Sequence, residues 1–337
     1  MPSEPKNGAP LKRGILASRV LRVAANFNGP SAAILMYHSV VPDPRRQEEF
    51  LGNLGHDEKT FRAQMELLSR DYHPIGLEDA ISHLRTDRVL PRRSVVVTFD
   101  DGYADNYEFA MPVLNRLGIP ATFYVTVKCV EQQELPWPCR LRYAFRKTKA
   151  ETWTAMQGKK WELKDAAARE RAFVAACEFC AKSGVPARND FLTLVERELE
   201  ACLPAESGSL MMTREQVQAI ARHGHAIGSH TMTHPNLAYL DRDEAKWEFS
   251  ESRRRLESMI DSPVKHFAYP CPALSPHWDE NTLVQSREAG YESALTTDSG
   301  LLRRGADPLR LPRIRPTKTA EGLRWTLECA FAGRGAR

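Results

Sequence analysis

The chain has no apolar run of the ~18 residues that a bilayer-spanning helix needs, so a transmembrane helix is not expected. The opening stretch from Met1 to Pro10 is polar and proline-rich. No uninterrupted apolar segment with a small-residue cleavage site follows it, which argues against a secretory leader. Charge of one sign is also scarce: the net charge is only +4, too weak to argue for nucleic acid, and no aromatic-plus-basic RNA signature occurs. The seven cysteines are odd in number and scattered, which is not a disulfide framework. Cys177 and Cys180 form one Cys-x-x-Cys pair in a helix-like run, without the second pair a zinc knuckle requires. There is no internal repeat or low-complexity tract. These absences favour a cytoplasmic protein. What is present, 42% apolar and 27% charged residues in 337, suits a globular enzyme of one barrel-sized domain with an insertion.

The most informative run is Thr98-Phe99-Asp100-Asp101-Gly102-Tyr103, which follows the apolar β-branched stretch Val95-Val96-Val97. That stretch reads as a buried strand, and two carboxylates at its end are costly unless ionic chemistry uses them. Side chains alternate along a strand, so one aspartate can bind a metal while its neighbour stays free to take a proton. Gly102 lets the chain turn at once. An acidic helix cap is the plainer alternative for such a run taken alone.

Far downstream, Gly228-Ser229-His230-Thr231-Met232-Thr233-His234-Pro235 places two histidines four residues apart. On one helical turn both imidazoles share a face and can reach one ion. Two imidazoles with one carboxylate suit zinc or a similar divalent transition metal and leave a position open for water. Alone, a His-x3-His pair is more often structural; together with the Asp-Asp-Gly run it reads as a metal site.

These two segments resemble the first two motifs of the NodB-homology polysaccharide deacetylases, carbohydrate esterase family four. The resemblance spans roughly residues 33 to 126 and 210 to 315. It implies a distorted (β/α)7 barrel, with Asp100 as catalytic base and Asp101, His230 and His234 as metal ligands. The third motif departs from the family pattern, reading Phe267-Ala268-Tyr269-Pro270-Cys271-Pro272. Ala268 stands where the family has the arginine that orients the base, and Cys271 stands where it has a tyrosine. That tyrosine serves mainly through its backbone N–H, which Cys271 keeps for an oxyanion. Arg313 and Arg315 are the candidates to replace the arginine, or else they bind substrate charge or water.

The family's C-terminal Leu-x-His, source of its general acid, is absent, since no histidine follows His277. The first strand instead ends Ile34-Leu35-Met36-Tyr37-His38-Ser39-Val40. It is similar to the branch that deacetylates poly-N-acetylglucosamine and related exopolysaccharides, in which this histidine is the acid. His38 is therefore the expected general acid.

Alternating apolar strands and amphipathic helices imply a parallel sheet, consistent with an α/β barrel, and parallel barrels carry their sites at the C-terminal strand ends. Predicted strands are 33–37, 94–99, 121–125, 226–229, 266–269 and 293–296. Predicted helices are 58–71, 77–84, 105–117, 213–223 and 241–260. Residues 127–209 form a helical insertion, with a turn at Pro136-Trp137-Pro138 and helices over 141–146, 163–182 and 190–202. Trp137 and Trp161 are sugar-stacking candidates there, or core residues of the insertion, and Tyr269 is a further substrate-binding candidate. Residues 1–30 form a basic N-terminal segment, 31–320 the barrel with its insertion, and 321–337 a C-terminal tail. Residues 11–27 read as a basic amphipathic helix that either packs on the domain or rests on an anionic inner-membrane surface.

The expected activity is metal-dependent removal of the N-acetyl group from an amino sugar, in a polysaccharide or its precursor, with release of acetate. The metal is expected to be zinc, with cobalt or nickel as alternatives. The partner is an N-acetylated saccharide; the oligomeric state is left open. A cytoplasmic location would favour a nucleotide-linked or lipid-linked precursor, or a glycan before export. The rival readings are a hydrolase of another small amide and a non-catalytic carbohydrate-binding relative.

Overall fold

A computed structural model describes residues 16, 20–25, 28–86, 89–156, 158–201 and 203–334. Seven parallel strands line up in chain order: β1 (Ser31–Tyr37), β2 (Ser94–Phe99), β3 (Ala121–Val125), β4 (Ala226–Ser229), β5 (His266–Ala268), β6 (Ser293–Ser299) and β7 (Leu311–Arg313). Just past β7, Ile314 bridges Leu35 in parallel. Met36 N donates to Ile314 O at 3.0 Å and Ile314 N to Ile34 O at 2.7 Å, so the sheet closes on itself as a seven-stranded barrel. The barrel is uneven. β4 and β5 meet at a single register pair, Phe267 with Ser229, and the β6–β7 register shifts between Leu295 and Ser299. The expected (β/α)7 architecture is therefore the observed one.

Alternation along the strands sorts the core into two layers. Ile34, Val96, Tyr124, Ala268, Leu295 and Leu311 pack together inside the barrel, closed at its lower end by Leu77, Ala80 and Ile81. Leu35, Val97, Phe99 and Phe123 face the surrounding helices. Gly228 is required here: a Cβ on it would stand 2.4 Å from the Tyr124 ring.

Helices form where the sequence carries both an apolar stripe and a cap. In α1 (Glu58–Asp71), Phe61, Met65 and Leu68 are buried, and Asp57 accepts from Thr60 N at 3.0 Å. The next barrel helix is α2 (Leu77–Arg85), which contributes the lower plug. The predicted helix 105–117 divides into a wide turn over Asn106–Ala110 and α3 (Met111–Leu117). Widened turns mark functional sites often enough to matter, and this one aims Asp105 and Asn106 at the end of β1.

The insertion is helical, as expected, and has its own core of Trp137, Phe145, Trp153, Phe173, Phe191 and neighbours. Its principal helices are α4 (Trp137–Lys147), α5 (Ala166–Ala181) and α6 (Val185–Glu198). The turn expected at Pro136–Pro138 is instead the start of α4, because proline fits the first helical positions. A hairpin, Thr152–Met156 with Lys159–Glu162, was not anticipated. Beyond it follow α7 (Arg214–Arg222), α8 (Arg242–Ile260) and α9 (Glu280–Glu288).

The expected C-terminal tail is corrected by α10 (Ala320–Phe331), capped by Thr319 and buried through Leu323, Leu327 and Phe331. Most of the predicted N-terminal helix lies outside the described residues. Its described part, Val20–Ala25, buries Leu21 and brings Arg22 to 3.5 Å from Glu328 of α10. No helix among the described residues is long and apolar enough to cross a membrane.

Candidate active site

The two aspartates diverge because the backbone changes hand between them. Asp100 still continues the β2 ladder, its N–H donating to Tyr37 O at 3.0 Å. Asp101 takes φ 77° and Gly102 φ 91°, a left-handed pair that turns the chain off the strand. Asp101 then faces the histidines: its Oδ1 lies 3.3 Å from His230 Nε2 and 3.2 Å from His234 Nε2. Asp100 turns to Arg313, whose Nη1 donates to Asp100 Oδ1 at 2.7 Å.

The histidine segment is a loop after β4, not the helical turn that spacing suggested. Thr231 (φ 68°) and His234 (φ 57°) are both left-handed, and this curl brings the two imidazoles to a centroid distance of 5.0 Å. His230 Nδ1 donates to Ala268 O at 2.8 Å, which leaves Nε2 as the lone-pair face toward Asp101. Buried Glu248 of α8 accepts from Met232 N at 2.7 Å and Thr233 N at 3.0 Å, and also from the Thr233 hydroxyl.

Of the two candidate arginines, Arg313 reaches Asp100. It is fully buried, and its Nε also donates to Thr296 O at 2.9 Å. Burial pushes the Asp100 carboxyl up, but the Arg313 charge, with His230 and His38 beyond it, reverses this and holds it below the ordinary carboxylate range. The guanidinium thus favours the charged form of the Asp100 carboxylate. Arg315 lines the cavity at the strand end and is exposed.

His38 lines the same cavity. Burial lowers its imidazole below the usual value, opposed by the Asp101 and Asp100 carboxylates. Its strand end is held by two residues that sequence reasoning passed over: Asn106 Nδ2 donates to His38 O at 2.6 Å, and Asp105 accepts from Ser39 Oγ at 2.6 Å and Val40 N at 3.0 Å. Their proximity to the Asp-Asp-Gly run was the available signal. Glu248 offered only a lone acidic position within a helix.

Cys271 lines the cavity, its thiol 2.8 Å from His277 Nε2. Tyr269 borders the cavity too, but its hydroxyl is taken by Leu309 O at 3.0 Å. Trp137 is corrected more sharply. It is 4% exposed within the insertion core, and its indole N–H donates to His234 O at 2.8 Å, which leaves no ring face for a sugar.

These groups converge on a cavity of about 560 Å³ at the C-terminal end of the barrel, walled on one side by the insertion through Pro138, Arg142, Phe173 and Cys177. Asp101, His230 and His234 offer three donor atoms within 4.8 Å of one another. Asp101 Oδ1 is buried and without a hydrogen-bond partner. An orphaned anionic oxygen beside two imidazole nitrogens fits a divalent transition metal and suits a three-ligand site open to water.

Fold and site together define an α/β-barrel protein with a paired-aspartate centre at its strand ends. The chain belongs to the polysaccharide deacetylase family, whose sequence profile matches residues 87–294, well over half of it. YxkH of Bacillus subtilis (strain 168), itself assigned to the polysaccharide deacetylases, is 23% identical over 290 residues, which cover 86% of this chain and 72% of YxkH. Among solved structures, the Streptococcus pyogenes deacetylase PplD, in complex with acetate, is similar with a TM-score of 0.59 at 20% identity, covering 89% of this chain and 99% of PplD. IcaB from Ammonifex degensii gives 0.58 at 19% identity, covering 89% and 98%. At such identities these two likenesses concern the fold.

Proposed function

We propose that the protein is a metal-dependent deacetylase that hydrolyses the N-acetyl group of an amino sugar in a polysaccharide or its precursor, releasing acetate. The observation that carries this reading is the buried Arg313–Asp100 pair beside the Asp101/His230/His234 triad. A binding protein would need no second carboxylate kept ionised and apart from the metal donors.

When bound by the triad, a divalent ion, zinc by its donor set, supplies Lewis-acid chemistry that acidifies water and polarises the acetamide carbonyl. Asp100 accepts the water proton, oriented by Arg313. The Cys271 backbone N–H is the donor for the developing oxyanion. His38 gives a proton to the departing amine. Desolvation lowers its imidazole below the usual value, and the adjacent Asp101 and Asp100 carboxylates favour the charged form that donates. The Tyr37-His38 segment at the end of β1 supports an exopolysaccharide-type substrate.

The test is acetate release, with zinc added, from N-acetylglucosamine oligomers, a nucleotide-linked N-acetyl sugar and a lipid-linked one. Release should stop with chelator and in Asp101→Ala. Asp100→Asn should lose roughly 10²–10⁴-fold in kcat while retaining zinc. His38→Ala should lose far more on the amide than on an activated acetate ester, whose leaving group needs no proton. Zinc binding without acetate release from any of these would shift the reading to another small amide or to a binding protein.

A further inference from the structure

We infer that the helical insertion is a working part of the metal centre, with Trp137 and Arg188 as positioning residues for the His234 ligand. This rests on the reading of Asp101, His230 and His234 as a metal site. The two histidines are held differently. His230 is fixed through its ring, Nδ1 donating to Ala268 O, whereas His234 Nδ1 is buried with no partner. The His234 ring therefore takes its position from its backbone, and that backbone is left-handed at both Thr231 and His234. Non-glycine residues persist in such conformations only where their surroundings over-determine them, most of all a β-branched threonine.

The surroundings come from two directions. On the barrel side, Glu248 gathers Met232 N, Thr233 N and the Thr233 hydroxyl. On the insertion side, Trp137 Nε1 at the start of α4 donates to His234 O at 2.8 Å. Arg188 Nη2 on α6 donates to Thr233 Oγ1 at 2.8 Å, so the threonine hydroxyl relays between the insertion's guanidinium and the barrel's carboxylate. Arg188 also sits over the Trp137 ring at 5.8 Å, and both side chains are buried. The indole N–H thus holds the His234 backbone, where the Ala268 carbonyl holds the His230 ring.

The test measures zinc affinity of the metal-free full-length protein by competition with a chromophoric chelator, with no substrate present. Trp137→Phe keeps the ring but removes the donor, and should weaken zinc binding roughly 10–100-fold, the cost of losing an outer-shell partner. Arg188→Met should weaken it as well, with Arg188→Lys recovering part of the loss. Trp153→Phe is the control. It removes another insertion indole N–H, which donates to Glu198 Oε2 at 3.0 Å away from the loop, and should leave affinity unchanged. Unaltered zinc affinity in Trp137→Phe, or an equal loss in Trp153→Phe, overturns the inference. If Trp137→Phe does not fold, Arg188→Met decides by the same comparison. A wild-type protein that binds no zinc defeats the metal-centre reading itself, and this one with it.

Discussion

Arg313 and Arg315 sit two positions apart, which on an extended strand puts both side chains on the same face. Local pattern therefore cannot say which one meets Asp100. The choice is made by depth: Arg313 ends β7 inside the closed barrel, while Arg315 lies past the Ile314 bridge at the open rim. The two should behave differently when shortened. Arg313→Met leaves Asp100 buried without its counter-charge and should cost about 3–5 kcal/mol of stability. Arg315→Met should stay within about 0.5 kcal/mol. Urea denaturation of the two variants checks this, and equal losses would remove the distinction. At the same scale, the roles of Asp100 and Asp101 were legible only through the family resemblance. Their separation in space depends on the left-handed turn at Asp101, and side-chain chemistry alone does not announce a positive φ at aspartate.

Elements bounded by local signals were read well. Ser94–Phe99, Ala121–Val125 and Ala226–Ser229 match their predicted limits, because apolar runs ending at turn residues carry their own boundaries. Other elements were misread, among them two of opposite kinds. The His-x3-His segment has helical spacing without a helix, since tertiary hydrogen bonds to Glu248, Trp137 and Arg188 impose its curl. Conversely, α10 was read as tail although Leu323, Leu327 and Phe331 recur at helical spacing after the Thr319 cap. That stripe is buried against the barrel. Leu323→Ala should therefore cost about 2–5 kcal/mol by denaturant titration and leave zinc affinity unchanged. A loss well under 1 kcal/mol would mean that the helix is dispensable.

Burial of neutral histidines should shape the stability of the whole molecule. Burial, reinforced by the Lys318 ammonium, lowers His56 to about 4. The unfolded chain binds this proton near pH 6.5 and the folded chain does not. The contribution of His56 is therefore complete above pH 6.5 and is lost as pH falls toward 4, up to about 3 kcal/mol. His225, His266 and His277 are lowered by burial in the same direction. Metal-free protein should lose stability steeply between pH 6.5 and 4, and His56→Phe should flatten that slope by about one proton. A pH-independent urea midpoint across this window would contradict the burial of these imidazoles.

The amino-acid sequence by itself determined the strand runs, the helix stripes and the chemical types at the centre: a paired carboxylate, two imidazoles and a strand-end histidine. These are short-range patterns, written within a few residues of one another, and a linear reading recovers them. Only the tertiary structure decided that Arg313 pairs with Asp100 across 213 positions, that the barrel closes at Ile314, and that an indole from the insertion holds the second histidine. Such contacts depend on sheet closure and on loop dihedrals set by distant partners, and neither leaves a periodic mark in the chain.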